Sequence, residues 1–134
     1  WNGITSIDTD NVYLTYSGNA TNIQSLLNKF HSSAQCTIHF VFNTMNITST
    51  SQIFYIGNSI VGDVIRIYIT NAVLSFKIGI AIANATILPN TSYVADFIFS
   101  YQTNGNMYLS IYLNGSIVAV STPTLYLNML QNFN

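Results

Sequence analysis

Glutamate is absent from this sequence and the other charged residues are scarce. Three strong bases and four acids make up 5% of its 134 residues, against roughly a quarter in ordinary soluble domains. The bases are Lys29, Arg66 and Lys77, and the acids Asp8, Asp10, Asp63 and Asp96. So few cations exclude a nucleic-acid partner, because neutralising phosphates takes clusters of Lys and Arg. Cysteine is nearly missing too. Cys36 stands alone, so no disulfide framework exists within the chain, and its alternation with Ile38, Phe40 and Phe42 marks it as a core residue rather than a reactive thiol. His31 and His39 are too few and too isolated for a zinc site, and His39 reads as a strand-face residue. Apolar runs stop after about seven or eight residues, too few to cross a bilayer as a helix, so no membrane insertion is expected. No repeat at solenoid period and no linker divides the chain.

What the sequence has in their place is Ser, Thr, Asn and apolar side chains. Hydrophobic residues make up 49% and aromatic ones 13%, enough for a chain of this length to bury its own core. A single β-sandwich domain over residues 1–134 is expected, with residues 1–10 as an extended N-terminal arm. A surface of uncharged amides and hydroxyls hardly changes its charge as pH falls. It is spared the carboxylate protonation behind most acid denaturation, so the composition points to an acidic or hot external habitat; the plainer alternative is a bland exterior suited to subunit contact. Five Asn-x-Ser/Thr sequons, at Asn19, Asn46, Asn84, Asn90 and Asn114, are candidate N-glycosylation sites and agree with an extracellular setting. The chain opens on Trp1 without a charged-then-apolar leader, and removal of a signal or a larger precursor is the expectation.

The clearest local signal lies between Asn106 and Ser121, where two apolar runs meet across Asn114-Gly115. A two-residue hairpin loop needs positive φ at both positions, and Asn-Gly tolerates this best, so the runs should pair antiparallel. Elsewhere period-two alternation predicts strands over residues 11–16, 36–44, 52–56, 63–70, 73–78, 79–88, 92–101 and from 124 onward, with residues 36–44 as a central strand. Asn71-Ala72 should reverse one hairpin and Pro89-Asn90 break the chain. Ile23, Leu26, Leu27 and Phe30 fall at helical spacing, predicting at most one short helix near residues 22–30. About nine to eleven strands at short spacing argue an all-β, antiparallel two-sheet sandwich.

The stretches YLTYSG, CTIHFVFNT, QIFYIGNS, VIRIYITNAVLSFKIG and SYVADFIFSYQTNGNMYLSIYLNGSIVAV follow one another between residues 11 and 121. In that order they resemble concanavalin A-like jelly rolls of the laminin-G and pentraxin type. Phe42 stands near where such domains often carry Trp, and Tyr93-Val94 replaces their usual Trp-His. The resemblance implies a sandwich that binds glycans, proteins or lipids, often with calcium, and one branch of such domains hydrolyses glycans. That branch uses paired carboxylates, usually glutamates about 5 Å apart. With no glutamate and scattered aspartates, the chain is expected not to be an enzyme. No cofactor is expected either; the one alternative is calcium on oxygens from Asp8, Asp10 and Asp63, which acidic turn residues also explain without metal.

If Ile65, Ile67, Ile69 and Leu109, Ile111, Leu113 face the core, then Arg66, Tyr68, Tyr108 and Tyr112 face outward as a candidate recognition face. Cross-strand pairing of tyrosines is the plainer reading of the same pattern. Two function classes follow. In the first, the chain is an extracellular glycoprotein subunit of a cell-surface filament or virion, with copies of itself as partners and its arm or tail completing a neighbour's sheet. In the second, it is a lectin-like adhesion module gripping cell-surface glycans.

Overall fold

The computed structural model describes residues 3–8, 11–16, 35–45, 47–58, 62–102 and 104–125. The chain divides into two compact units, Trp1–His31 and Ser32–Asn134. In the first, β1 (Gly3–Asp8) and β2 (Asn11–Tyr16) form an antiparallel ribbon with Gly3 opposite Tyr16 and Asp8 opposite Asn11. Residues 3–8 of the expected extended arm are thus the strand β1, paired with β2. The helix expected near residues 22–30 lies outside the described residues, and every regular element among the latter is a strand.

The second unit is a two-sheet antiparallel sandwich, as the strand spacing predicts. One sheet runs β10 (Ser116–Val120), β9 (Asn106–Leu113), β8 (Thr91–Tyr101), β3 (Gln35–Thr44), and the short β11 (Thr124–Leu125) also pairs with β9. The other runs β4 (Ser51–Asn58), β5 (Gly62–Thr70), β6 (Val73–Ile78), β7 (Ala81–Thr86). Strands β6 and β7 lie against β9, and β7 also against β10.

Alternation decides which side of each strand is dry. Ile65, Ile67 and Ile69 of β5, Ala81, Ala83 and Ala85 of β7, and Met107, Leu109, Ile111 and Leu113 of β9 are all buried, whereas their alternate neighbours are not. A chain of phenylalanines joins the layers. Phe97 of β8 meets Phe76 of β6 edge-on at 5.6 Å and Phe40 of β3 at 6.4 Å, and Phe40 lies tilted against Phe54 of β4 at 6.1 Å. Such pairs add roughly 0.5–1.5 kcal/mol each beyond the area they bury.

Strand β3 departs from expectation. Among the described residues it pairs with β8 alone and stands at the edge of their sheet rather than at its centre, and Cys36, Ile38, Phe40 and Phe42 alternate correctly but are only half-buried. The expected hairpin turns both form. Asn71 and Ala72 have φ of 49° and 63°, and Asn114 and Gly115 of 52° and 82°, the doubly positive pattern that matches the twist of two-residue hairpins.

Candidate recognition surfaces

The four residues expected to share a recognition face do not lie together. Arg66 and Tyr68 alternate with the buried face of β5, while Tyr108 and Tyr112 alternate with that of β9. Each pair therefore occupies the outer side of a different sheet, and the one face is corrected to two. The cause is topological, because β5 and β9 turn their apolar sides toward each other.

On the outer side of the β4–β7 sheet, register lines up Tyr55, Arg66, Lys77 and Ile82 in one row and Gln52, Tyr68, Ser75 and Asn84 in the next. The Arg66 guanidinium sits 4.3 Å from the centre of the Tyr68 ring, and its Nε donates to Gln52 Oε1 at 3.0 Å. Arg66 and Lys77 are directly opposite, an arrangement that destabilises a sheet. Cation–π attraction of about 0.5–1 kcal/mol at the tyrosine offsets part of this. Lys77 was missing from the expected face, although the two-residue turn at Asn71-Ala72 sets Thr70 opposite Val73 and hence Arg66 opposite Lys77.

On the outer side of the other sheet, His39, Asp96, Tyr112 and Ile117 form one row. His39 Nδ1 donates to Asp96 Oδ1 at 2.7 Å, with the imidazole largely exposed. His39 is thus a strand-face residue tied to an acid.

Strands β7 and β10 lie at the same side of the sandwich, and each has one ladder partner among the described residues. Neither contains a charged residue or a proline. Ile117, Val118 and Val120 of β10 are 53%, 47% and 54% exposed, and Ile80, Ile82 and Leu88 in and beside β7 are exposed too. Soluble proteins blunt such edges with lysine, proline or bulges. The bulge between Ile117 and Ala119 is the one such device in β10.

At the end of the sandwich where β3, β5, β7 and β9 finish, Met45, Ile47, Thr48, Asn71, Ala72 and Pro89 line an open hollow of about 540 Å³. Its walls are tied together by backbone bonds: the Ala72 N–H donates to the Ile47 carbonyl at 2.8 Å and the Ile87 N–H to the Ala72 carbonyl at 2.9 Å. The buried Thr44 hydroxyl accepts the Thr91 N–H at 3.0 Å and donates to the Leu88 carbonyl, fixing the β7–β8 turn.

Among the described residues, no three His, Cys, Asp or Glu side chains converge to hold a metal. Of the calcium candidates, Asp8 ends β1, Asp63 sits in β5, and Asp10 lies outside the described residues. Of the sequons, Asn84 lies on the outer side of β7, Asn90 and Asn114 lie in exposed turns, and Asn19 and Asn46 lie outside the described residues. No helix among the described residues is long and apolar enough to cross a membrane. No protein-family model, curated protein or solved structure matches the chain.

Proposed function

We propose that this chain is a non-enzymatic module of an extracellular surface assembly, a filament or a virion coat, whose copies meet through the side formed by β7 and β10. The observation that carries the reading is the run of exposed aliphatic side chains, Ile117, Val118, Val120 and Ile82, on two edge strands without a charge. Neither strand carries a charge of its own, although Lys77 stands opposite Ile82, so the like-charge penalty between copies is small, and burying aliphatic surface drives association at about 25 cal/mol per Å². The bulge in β10 interrupts any continuous ladder, so side-chain packing supplies the contact. The strand pattern that resembles concanavalin A-like sandwiches supports an extracellular module, and the scarcity of carboxylates suits an acidic setting.

Sedimentation velocity over a hundredfold concentration range tests this. The wild-type chain associates as concentration rises, and the Ile117→Lys, Val120→Lys double variant stays monomeric while melting at the wild-type temperature. Equal association of both contradicts the proposed side.

A second reading, a lectin-like adhesion module, is favoured by the Arg66–Tyr68 stack beside Lys77 and Gln52. An aromatic face with adjacent cations and an amide suits an acidic sugar. Glycan-array binding that disappears with Tyr68→Ala supports it. Binding that survives the change removes the site.

A further inference from the structure

The proposed function leaves the sequons without a role. Three of their asparagines, Asn84, Asn90 and Asn114, are described and exposed, but they are held differently. Asn114 Oδ1 accepts the Val94 N–H at 2.9 Å, and Asn84 Oδ1 accepts the Ser75 hydroxyl at 2.7 Å, so the oxygen of each carboxamide, though not the Nδ2 that would carry a sugar, is tied to a sheet. Asn90 sits at φ 51° in the turn between β7 and β8, a left-handed conformation that asparagine tolerates.

Its neighbour Pro89 forms part of the wall of the hollow lined also by Met45, Ile47, Thr48, Asn71 and Ala72. The lining is mostly apolar, with Thr48 and Asn71 as its polar members. Met45 is 74% exposed and Leu88 63%, an unusual display for an end of a sandwich held together by backbone bonds. The volume of about 540 Å³ falls within the roughly 300–1,000 Å³ of small-ligand sites. A hexosamine ring has C–H groups on its faces and hydroxyls around its rim, so it can cover an apolar floor while its polar groups stay in water.

From this placement we infer that Asn90 carries an N-linked glycan whose first N-acetylhexosamine lies over the hollow. The bond forms between Asn90 Nδ2 and C1 of a sugar delivered from a lipid-linked oligosaccharide diphosphate. The amide nitrogen loses one proton, and the lipid diphosphate leaves with the electron pair of the broken C–O bond. The tether is one residue long, which makes coverage of the hollow local rather than a chance encounter of a distant glycan. The ring covers Met45 and Pro89 of the hollow and stabilises the end of the sandwich where the β5–β6 and β7–β8 turns meet.

The inference rests on the extracellular setting proposed above, and its test separates the two. Peptides spanning all five sequons, Asn19, Asn46, Asn84, Asn90 and Asn114, from the native chain are mapped by mass spectrometry. Alongside, wild type, Asn90→Gly and Ser92→Ala are secreted from a glycosylating eukaryotic host and melted. Each is melted again after production in a bacterial host that adds no glycan, because Ser92 Oγ also accepts from Asn43 Nδ2 at 2.9 Å and the loss of that bond must be subtracted. The expected result is a hexosamine-bearing Asn90, with both variants lighter by one glycan and melting about 3 °C or more below wild type. Glycine suits a positive φ, so a lower melting temperature in Asn90→Gly reports the lost sugar rather than a strained turn. Glycans at any of the other four sequons with a bare Asn90 overturn the inference and leave the extracellular setting standing. Bare asparagines throughout contradict both. An occupied Asn90 with unchanged melting in both variants overturns coverage of the hollow.

Discussion

Thr44 shows how a single hydroxyl holds distant parts of this chain together. It is 3% exposed and bonded to Leu88 and Thr91, 44 and 47 residues on. Thr44→Val keeps the shape but strands a carbonyl and an N–H, and should cost about 1–3 kcal/mol in urea unfolding; an unchanged midpoint would contradict the bonding described. Ala72 is the opposite case, because its φ of 63° is one that an L side chain adopts at a cost of about 1–2 kcal/mol. Ala72→Gly should therefore stabilise the fold, by about 0.5–1 kcal/mol after the greater freedom of unfolded glycine is counted. A destabilised variant would mean that the methyl group in the hollow contributes more than the backbone strain costs. The turns at Asn71-Ala72 and Asn114-Gly115 were readable from local chemistry, since two-residue loops select asparagine and glycine. The role of Thr44 was not, because its partners lie beyond any local pattern.

At the level of strands, alternation identified where elements lie and which side of each is dry. It did not assign strands to sheets. Residues Cys36 to Phe42 read as central because apolar side chains recur at every second position, yet among the described strands β3 stands at the edge and its inward side chains are half-buried. For the same reason Arg66 and Tyr68 read as one face with Tyr108 and Tyr112, although long-range pairing puts them on different sheets. The phenylalanine chain gives this level its prediction. Phe97 touches both Phe40 and Phe76 and is fully buried, so Phe97→Ala should cost about 3–5 kcal/mol. Phe42, half-buried at the edge and against Tyr93, should lose clearly less on the same change. Equal losses in chemical denaturation would contradict Phe97 as the link between the layers.

For the whole molecule, scarcity of charge governs behaviour more than any one contact. Only four carboxylates and two imidazoles are available to couple stability to pH below neutrality, and stability changes with pH only through such groups. Urea midpoints at pH 7 and pH 3 should therefore correspond to stabilities within about 2 kcal/mol, little more than one perturbed carboxylate supplies. A much larger loss in acid would remove the argument for an acidic habitat. The same scarcity leaves β7 and β10 without a charge of their own, which keeps like-charge repulsion low in the assembly proposed above, and that much is legible in composition before any strand is placed. Which strands would form the proposed side is not, since edge position depends on the sheet order. Negative-stain electron microscopy of the concentrated chain, beside the Ile117→Lys, Val120→Lys variant, tests the central claim most directly. Filaments or regular particles that disappear in the variant are the predicted result, and dispersed single sandwiches in both samples would contradict it.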